Sequence, residues 1–398
     1  MTQLDDLQPQ LKRIQQLKRI QLWALVAGAV GIAACAFGAM QSGEQFFRSY
    51  LFGFLFWFGI AAGCLAFLML HHLVSGGWGF VIQRMLEAGA RTLPLLLVLF
   101  VPIYFGMQEL YLWARPEAVS ADKILQHKSV YLNVNFFWVR TAIYFALWIL
   151  FAFLLSRWSQ QQDQTGDHKL TSRLEAISGP GLVVFVLTAT FASVDWAMSL
   201  DPHWFSTIFG VLFVVSQGLT TLAFVIIMLN LLAKYQPISE VISRRQFHDL
   251  GTLMFAFVML WAYVSFSQFL IIWSGNLPEE IPWYIQRLRG SFGVFATLVL
   301  VFHFALPFVL LLLRRVKRNT AYLTKVAVAM LVARLIDLYW VVAPSFHHGE
   351  FHLHWMDFVA PIAIGGIWLA AFIWLLQGRA LMPLHDPRLQ EAFEAHGH

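Results

Sequence analysis

Long apolar runs separated by short polar segments alternate along the whole chain. Ten runs are long enough to cross a bilayer, at residues 20–40, 50–73, 93–112, 136–156, 181–198, 208–232, 250–272, 293–313, 323–342 and 358–376. A hydrocarbon core about 30 Å thick takes roughly 20 helical residues, and in lipid a helix satisfies its backbone polar groups within its own segment. The pattern predicts an all-α, polytopic membrane protein with a ten-helix transmembrane domain over residues 20–376. An even number of crossings brings both ends of the chain to one side.

The flanks differ from this domain. Leu4, Leu7, Leu11, Ile14 and Leu17 recur at three- and four-residue steps while Lys12, Arg13, Lys18 and Arg19 take other faces, so residues 1–19 read as a basic amphipathic segment lying on a membrane surface or a partner. Pro9 is expected to confine the helix to the residues after it. Ile32-Ala33-Ala34-Cys35 faintly resembles a lipoprotein cleavage box, but the polar lead is long for a signal peptide, and the segment reads as a retained first helix. Residues 377–398 form a polar tail.

Composition narrows the class. The 398 residues are 59% hydrophobic and 12% charged, about half the charge of an ordinary soluble domain, which excludes a soluble enzyme. With 37 Phe and 16 Trp the chain cannot stay solvated as a disordered polymer either. The net charge of +5 belongs to the membrane flanks and calls for no nucleic acid. The lead, the even-numbered loops and the tail hold 18 of the 27 Lys and Arg, and the odd-numbered loops 6. That asymmetry predicts both termini in the cytoplasm. Arg314, Arg315, Lys317 and Arg318 read as a membrane-flanking anchor. Two separated thiols, Cys35 and Cys64, cannot hold an iron–sulfur cluster, a zinc ion or a c-type haem.

Ionisable groups inside the spans are costly enough to mark interiors or wet cavities. Glu109, Arg140 and Asp195 fall near the outer ends of spans 3, 4 and 5, where they form either a quinone pocket with a proton-accepting carboxylate or a structural ion-pair cluster. Arg334 and Asp337, three apart in span 9, share a helix face, and His303 stands alone in span 8. A proton path through these three and the surface pair Asp201 and His203 is one reading; a structural ion pair, a core histidine and a helix cap are the other. His347, His348, Glu350, His352 and His354 crowd the ninth loop without a standard zinc spacing. His71 and His72, at the inner end of span 2, do not make the paired axial ligation of a membrane haem.

Two segments carry a resemblance. Residues 195–207 read Asp-Trp-x-x-Ser-Leu-Asp-Pro-His-Trp-x-Ser-Thr, and residues 263–280 read Tyr-x-x-Phe-Ser-Gln-Phe-Leu-Ile-x-Trp-x-Gly-Asn-x-Pro-Glu-Glu. With the ten-span count, they resemble the second NrfD-like (polysulfide reductase membrane subunit family) subunit of bacterial alternative complex III, a quinol:cytochrome c oxidoreductase. The resemblance implies two four-helix bundles, spans 2–5 over about 50–198 and spans 6–9 over about 208–342, flanked by spans 1 and 10. It implies a bacterial inner-membrane subunit that contributes quinone binding, with menaquinone the expected quinone, or proton conduction. It bears no haem or iron–sulfur cluster of its own. Its implied partners are a homologous NrfD-like subunit, an iron–sulfur subunit, multi-haem cytochrome c subunits and a terminal oxidase.

Two other classes remain open on the residues alone. A secondary transporter is one, with a faint echo between Asp195-Trp196 and Asp337-Leu338-Tyr339-Trp340, although transporters break their helices at midplane ion sites and these spans read as continuous. A scaffold whose charges only pack helices is the other.

Overall fold

The computed structural model describes residues 2–235, 238–242, 244–347, 352–383, 386, 388 and 389, with side chains from residue 15 onward except those of 240 and 241. Ten helical segments are long and apolar enough to cross a membrane: Gln15–Gln41, Gly43–Val74, Gly77–Phe105, Val134–Thr165, Lys169–Leu200, Phe209–Leu232, Arg244–Gly275, Gly290–Leu312, Thr320–Ser345 and Met356–Gln377. They are spans 1 to 10 below, and among the described residues there is no strand. The protein is therefore an all-α, multi-pass membrane protein. We call the side on which span 1 begins and span 10 ends the entry side, and the other the far side.

Spans 2, 3, 4 and 5 pack together, as do spans 6, 7, 8 and 9, and the two bundles meet where span 6 lies against spans 2 and 5. Span 2 is buried nearly all round. Spans 1 and 10 pair along their length, and span 10 also covers span 2. The pairing depends on small residues: a Cβ on Gly31 would stand 2.7 Å from Ala363 Cα, and one on Gly366 2.4 Å from Gly28 N. Such close backbone approach is how helices associate in lipid, where burial alone gives no preference. Spans 7 and 8 keep most of their surface outward, as lipid-facing helices do.

Three sequence expectations are corrected. The first concerns the lead, which is not a separate surface helix: one helix runs from Thr2 to Gln41, through Pro9 and into span 1. The side chains of Leu4, Leu7, Leu11 and Ile14 lie outside the described residues.

The second concerns span 3, which begins at Gly77 instead of residue 93, so the polar stretch around Arg84 and Glu87 is buried helix. It is broken at Arg91 and Thr92, where a second helix, Leu93–Phe105, starts with Pro94 in its first turn. Proline has no N–H to continue the first helix. The break forms no midplane ion site of the transporter kind: Thr92 Oγ1 donates to Gly89 O at 2.6 Å and accepts from Trp368 Nε1 at 2.7 Å.

Span 8 is the third. It opens into a π-helical turn over Val299–Ala305, immediately before Pro307. That proline cannot donate to the carbonyl of His303 and would crowd it in a regular helix. The widened turn relieves the clash and turns His303 inward.

Candidate functional site

Asp195 and Arg140 meet as expected, near the far ends of spans 5 and 4. Arg140 Nε donates to Asp195 Oδ2 at 2.9 Å and Nη2 to Oδ1 at 2.8 Å, while Tyr144 Oη donates to Oδ2 at 2.9 Å. The guanidinium also lies 3.8 Å from the Tyr131 ring centroid and 4.3 Å from that of Phe136, and donates through Nη1 to Tyr131 O. Every strong acceptor and donor of the pair is thus engaged.

Aromatic rings pack closely beside it. Trp196, next in sequence to Asp195, is fully buried among Phe54, Phe58, Phe100, Phe145 and Trp148, with ring centroids 4.8 to 6.1 Å away. Glu109 does not join the pair. Because span 3 ends at Phe105, Glu109 lies beyond it in the short helix Met107–Leu110 and is exposed.

A cavity opens in the second bundle. About 800 Å³ of space lies in its far half, between spans 6, 7, 8 and 9 and the short helix Ile281–Leu288. Its wall is mainly apolar and includes the rings of Trp261, Phe269, Tyr284 and Phe304. Its rim carries Tyr263, Phe266 and Leu300, all exposed on the outer surface of spans 7 and 8, so the mouth faces sideways to where lipid would be. The volume falls within the range of sites for small organic molecules.

A few polar groups reach this apolar space. Arg334 and Asp337 line it, bonded to each other across one turn of span 9. Gln268 also lines it, and its Oε1 has no hydrogen-bond donor among the described residues. Trp261 forms part of the wall and contacts His303 behind it, rings T-shaped at 4.3 Å. Neither imidazole nitrogen of His303 has a partner among the described residues, nor does the Trp261 indole nitrogen. The charges that act on His303 are those of Asp337 and Arg334. Of the three proton-path candidates from spans 8 and 9, Arg334 and Asp337 line the cavity, and His303 packs against its wall residue Trp261.

Asp201 and His203, two residues apart, go to different partners. Asp201 accepts from Arg287 Nη2 at 3.0 Å and from Ser345 Oγ at 2.7 Å. Arg287 also donates to Val341 O at 2.7 Å and lies over the Trp283 ring at 3.8 Å, and Trp283 stacks on Trp204 at 4.4 Å. This knot closes the far end of the cavity. Burial pulls the Arg287 guanidinium down to about 10 against the opposing pull of Asp201, which leaves it charged at neutral pH. His203 instead pairs with Asp122 at 2.5 Å on the surface, and that hydrogen bond, with those from the Ile124 and Leu125 amides, holds the Asp122 carboxyl below its usual range.

Sequence reasoning missed a second polar centre, on the entry side of the first bundle. Glu87 accepts from Arg84, Arg379, Ser159 and Gln83 at 2.6 to 3.1 Å, and Arg84 also bonds Asp163. Gln83 connects this network to His71, Oε1 to Nε2 at 3.2 Å. The Arg84-x-x-Glu87 spacing was a usable signal, since residues three apart on a helix can neutralise each other. Of the ninth-loop cluster, His348 and Glu350 lie outside the described residues. Among the described residues no group of three or more His, Cys, Asp or Glu converges on a metal-sized site.

The fold defines a polytopic α-helical membrane protein, and the cavity in its second bundle opens sideways and has a mainly apolar lining with a few polar groups. No protein-family model matches the chain, and no curated protein matches it either.

Proposed function

We propose that the chain is an integral subunit of a bacterial inner-membrane quinol:electron-acceptor oxidoreductase of the alternative complex III type, and that its quinol site is the cavity of the second bundle. The observation that carries the reading is the pairing of a lipid-facing mouth between Tyr263 and Leu300 with a polar inner wall of Gln268, Arg334 and Asp337. A quinol has the matching form: an apolar tail that stays in lipid and a ring with two hydroxyl groups.

Gln268 Oε1, a buried acceptor without a donor, suits one hydroxyl, since an unmet buried acceptor is costly. In this reading Asp337, held by Arg334, takes a ring proton as the electrons leave, and His303 stands against Trp261 of the cavity wall. Electrons leave through iron–sulfur and multi-haem centres on partner subunits. In this reading both termini are cytoplasmic, as the loop charges indicate, and a homologous membrane subunit is a partner. Asp195 and Arg140 are then structural, since aromatic rings fill the space around them.

The test is purification from native membranes followed by menaquinol oxidation. The reading expects multi-haem cytochromes to co-purify, and Asp337→Asn to lower turnover at least about tenfold while leaving the complex assembled. Purification without any redox partner, or full turnover in the Asp337→Asn complex, overturns it.

A further inference from the structure

On the entry side, the start of span 7 and the helical turn Arg314–Arg318 that follows span 8 enclose a recess of about 730 Å³. It is lined by Arg244, Arg245, His248, Asp249, Arg314 and Arg318. Four arginines and one aspartate thus line the recess, and the Asp249 carboxylate lies 3.5 Å from His248 Nδ1. Arg244, Arg314 and Arg318 have no carboxylate partner among the described residues. These residues are about seventy apart in sequence, so the local run of basic residues, enough for an anchor, does not explain why two helices gather their arginines around one recess. Like charges gathered at a surface repel, less so in water and salt, and an anion held between them is favoured.

What lies next to the recess narrows the choice of anion. Val309, Leu312 and Leu313, at the end of span 8, are exposed, and Phe255 of span 7 stacks on Phe308 beside them at 5.7 Å. Lys317 reaches over the same Phe255 ring, 5.5 Å from its centroid, as a long cationic side chain does at the boundary between apolar and polar layers. A basic recess continuous with an apolar, membrane-facing strip matches a molecule with a phosphate head and acyl chains. Basic pockets between transmembrane helices hold anionic lipid headgroups in this way, with guanidinium forks suited to phosphate oxygens.

We propose that this recess is a binding site for an anionic phospholipid, its phosphate among Arg244, Arg314 and Arg318 and its chains along Val309, Leu312 and Leu313. The site lies on the opposite side of the bundle from the quinol cavity and does not depend on that assignment.

The experiment uses the full chain, delipidated in detergent and titrated with phosphatidylglycerol or phosphatidylcholine under native mass spectrometry. A phosphatidylglycerol with a photoreactive headgroup is added in parallel to map the contact. The proposal expects selective retention of phosphatidylglycerol and crosslinks in both peptides, 244–249 and 314–318. Arg314→Gln with Arg318→Gln is expected to weaken binding about thirtyfold, as removal of two headgroup-proximal cations should, and Arg314→Lys with Arg318→Lys to restore most of it. Equal retention of the two lipids overturns the proposal, as do crosslinks spread over other basic loops. Displacement of the lipid by millimolar inorganic phosphate overturns it in favour of a free-anion site. The crosslink map needs no variant, so it decides the matter even where the double substitution prevents folding.

Discussion

Arg140 holds Asp195 through two parallel hydrogen bonds, at 2.9 and 2.8 Å, in a part of the first bundle where Asp195 is wholly buried. The pair comes from spans 4 and 5 and joins them, while the aromatic rings around Trp196 exclude any other occupant. Removing one partner leaves the other charge buried alone, which is far worse than removing both. Asp195→Asn is therefore expected to destabilise the protein by about 3 to 5 kcal/mol, read as a lower thermal midpoint in detergent. The double variant Arg140→Met with Asp195→Leu should lose less than the single one. Equal losses would mean that the pair does not act as a unit.

Glu87 is the hub of the entry-side network, and its carboxylate faces both Arg84 and Arg379. Arg379 follows span 10, so Glu87 fastens the end of that span to span 3. Glu87→Gln should cost about 3 kcal/mol and release the segment after residue 377, seen as faster amide exchange there. Unchanged exchange would separate the network from the docking of that segment.

Ala262 lines the second-bundle cavity between the rim and Trp261. Ala262→Phe should fill the space without disturbing the Arg334–Asp337 pair. In the wild type, a quinone analogue entering the cavity should quench the fluorescence of Trp261, and the variant should need at least about tenfold more analogue for the same quenching. Identical titrations would place the analogue elsewhere.

Asp386, beyond span 10, is buried against the entry-side end of span 2. Burial alone would raise its carboxyl, but the Arg388 hydrogen bonds and charge outweigh that and hold it below the usual carboxylate range. Arg388 in turn donates to His72 O at 3.0 Å and to Ser75 Oγ at 2.8 Å. A folded value below the unfolded one means stabilisation that is complete above about pH 4 and lost as the pH falls through the lower, folded value. Proteolysis of the tail should therefore rise in acid, and Asp386→Asn should give the acid behaviour already at pH 7. A variant as resistant as the wild type at pH 7 would refute the docking.

Gly79 tests the packing around His71. A Cβ there would stand 1.9 Å from His71 Nδ1, so Gly79→Ala should cost about 1 to 3 kcal/mol through overpacking. His71→Ala in the same chain should recover most of it, as thermal unfolding in detergent would show; no recovery would place the strain elsewhere.

The ten crossings were legible in the sequence because each apolar run must by itself satisfy the length and polarity of a bilayer. The pairing of Arg140 with Asp195 was legible too, since charges at one depth in adjacent spans have few other partners. Pro307 and the Arg84-x-x-Glu87 spacing were readable signals whose consequences were not. What the sequence could not decide was which buried charges meet across spans and where space is left over. Residues 77–90 look like a loop because their charges are neutralised by Asp163 and Arg379, residues distant in sequence. The cavity of about 800 Å³ lies in the second bundle, where a π turn and a set of outward-facing rings leave space, while Trp148 and Trp196 are packed into the interior of the first. Composition sets the number of rings; only the packing of helices decides whether they close on one another or stand apart around a cavity.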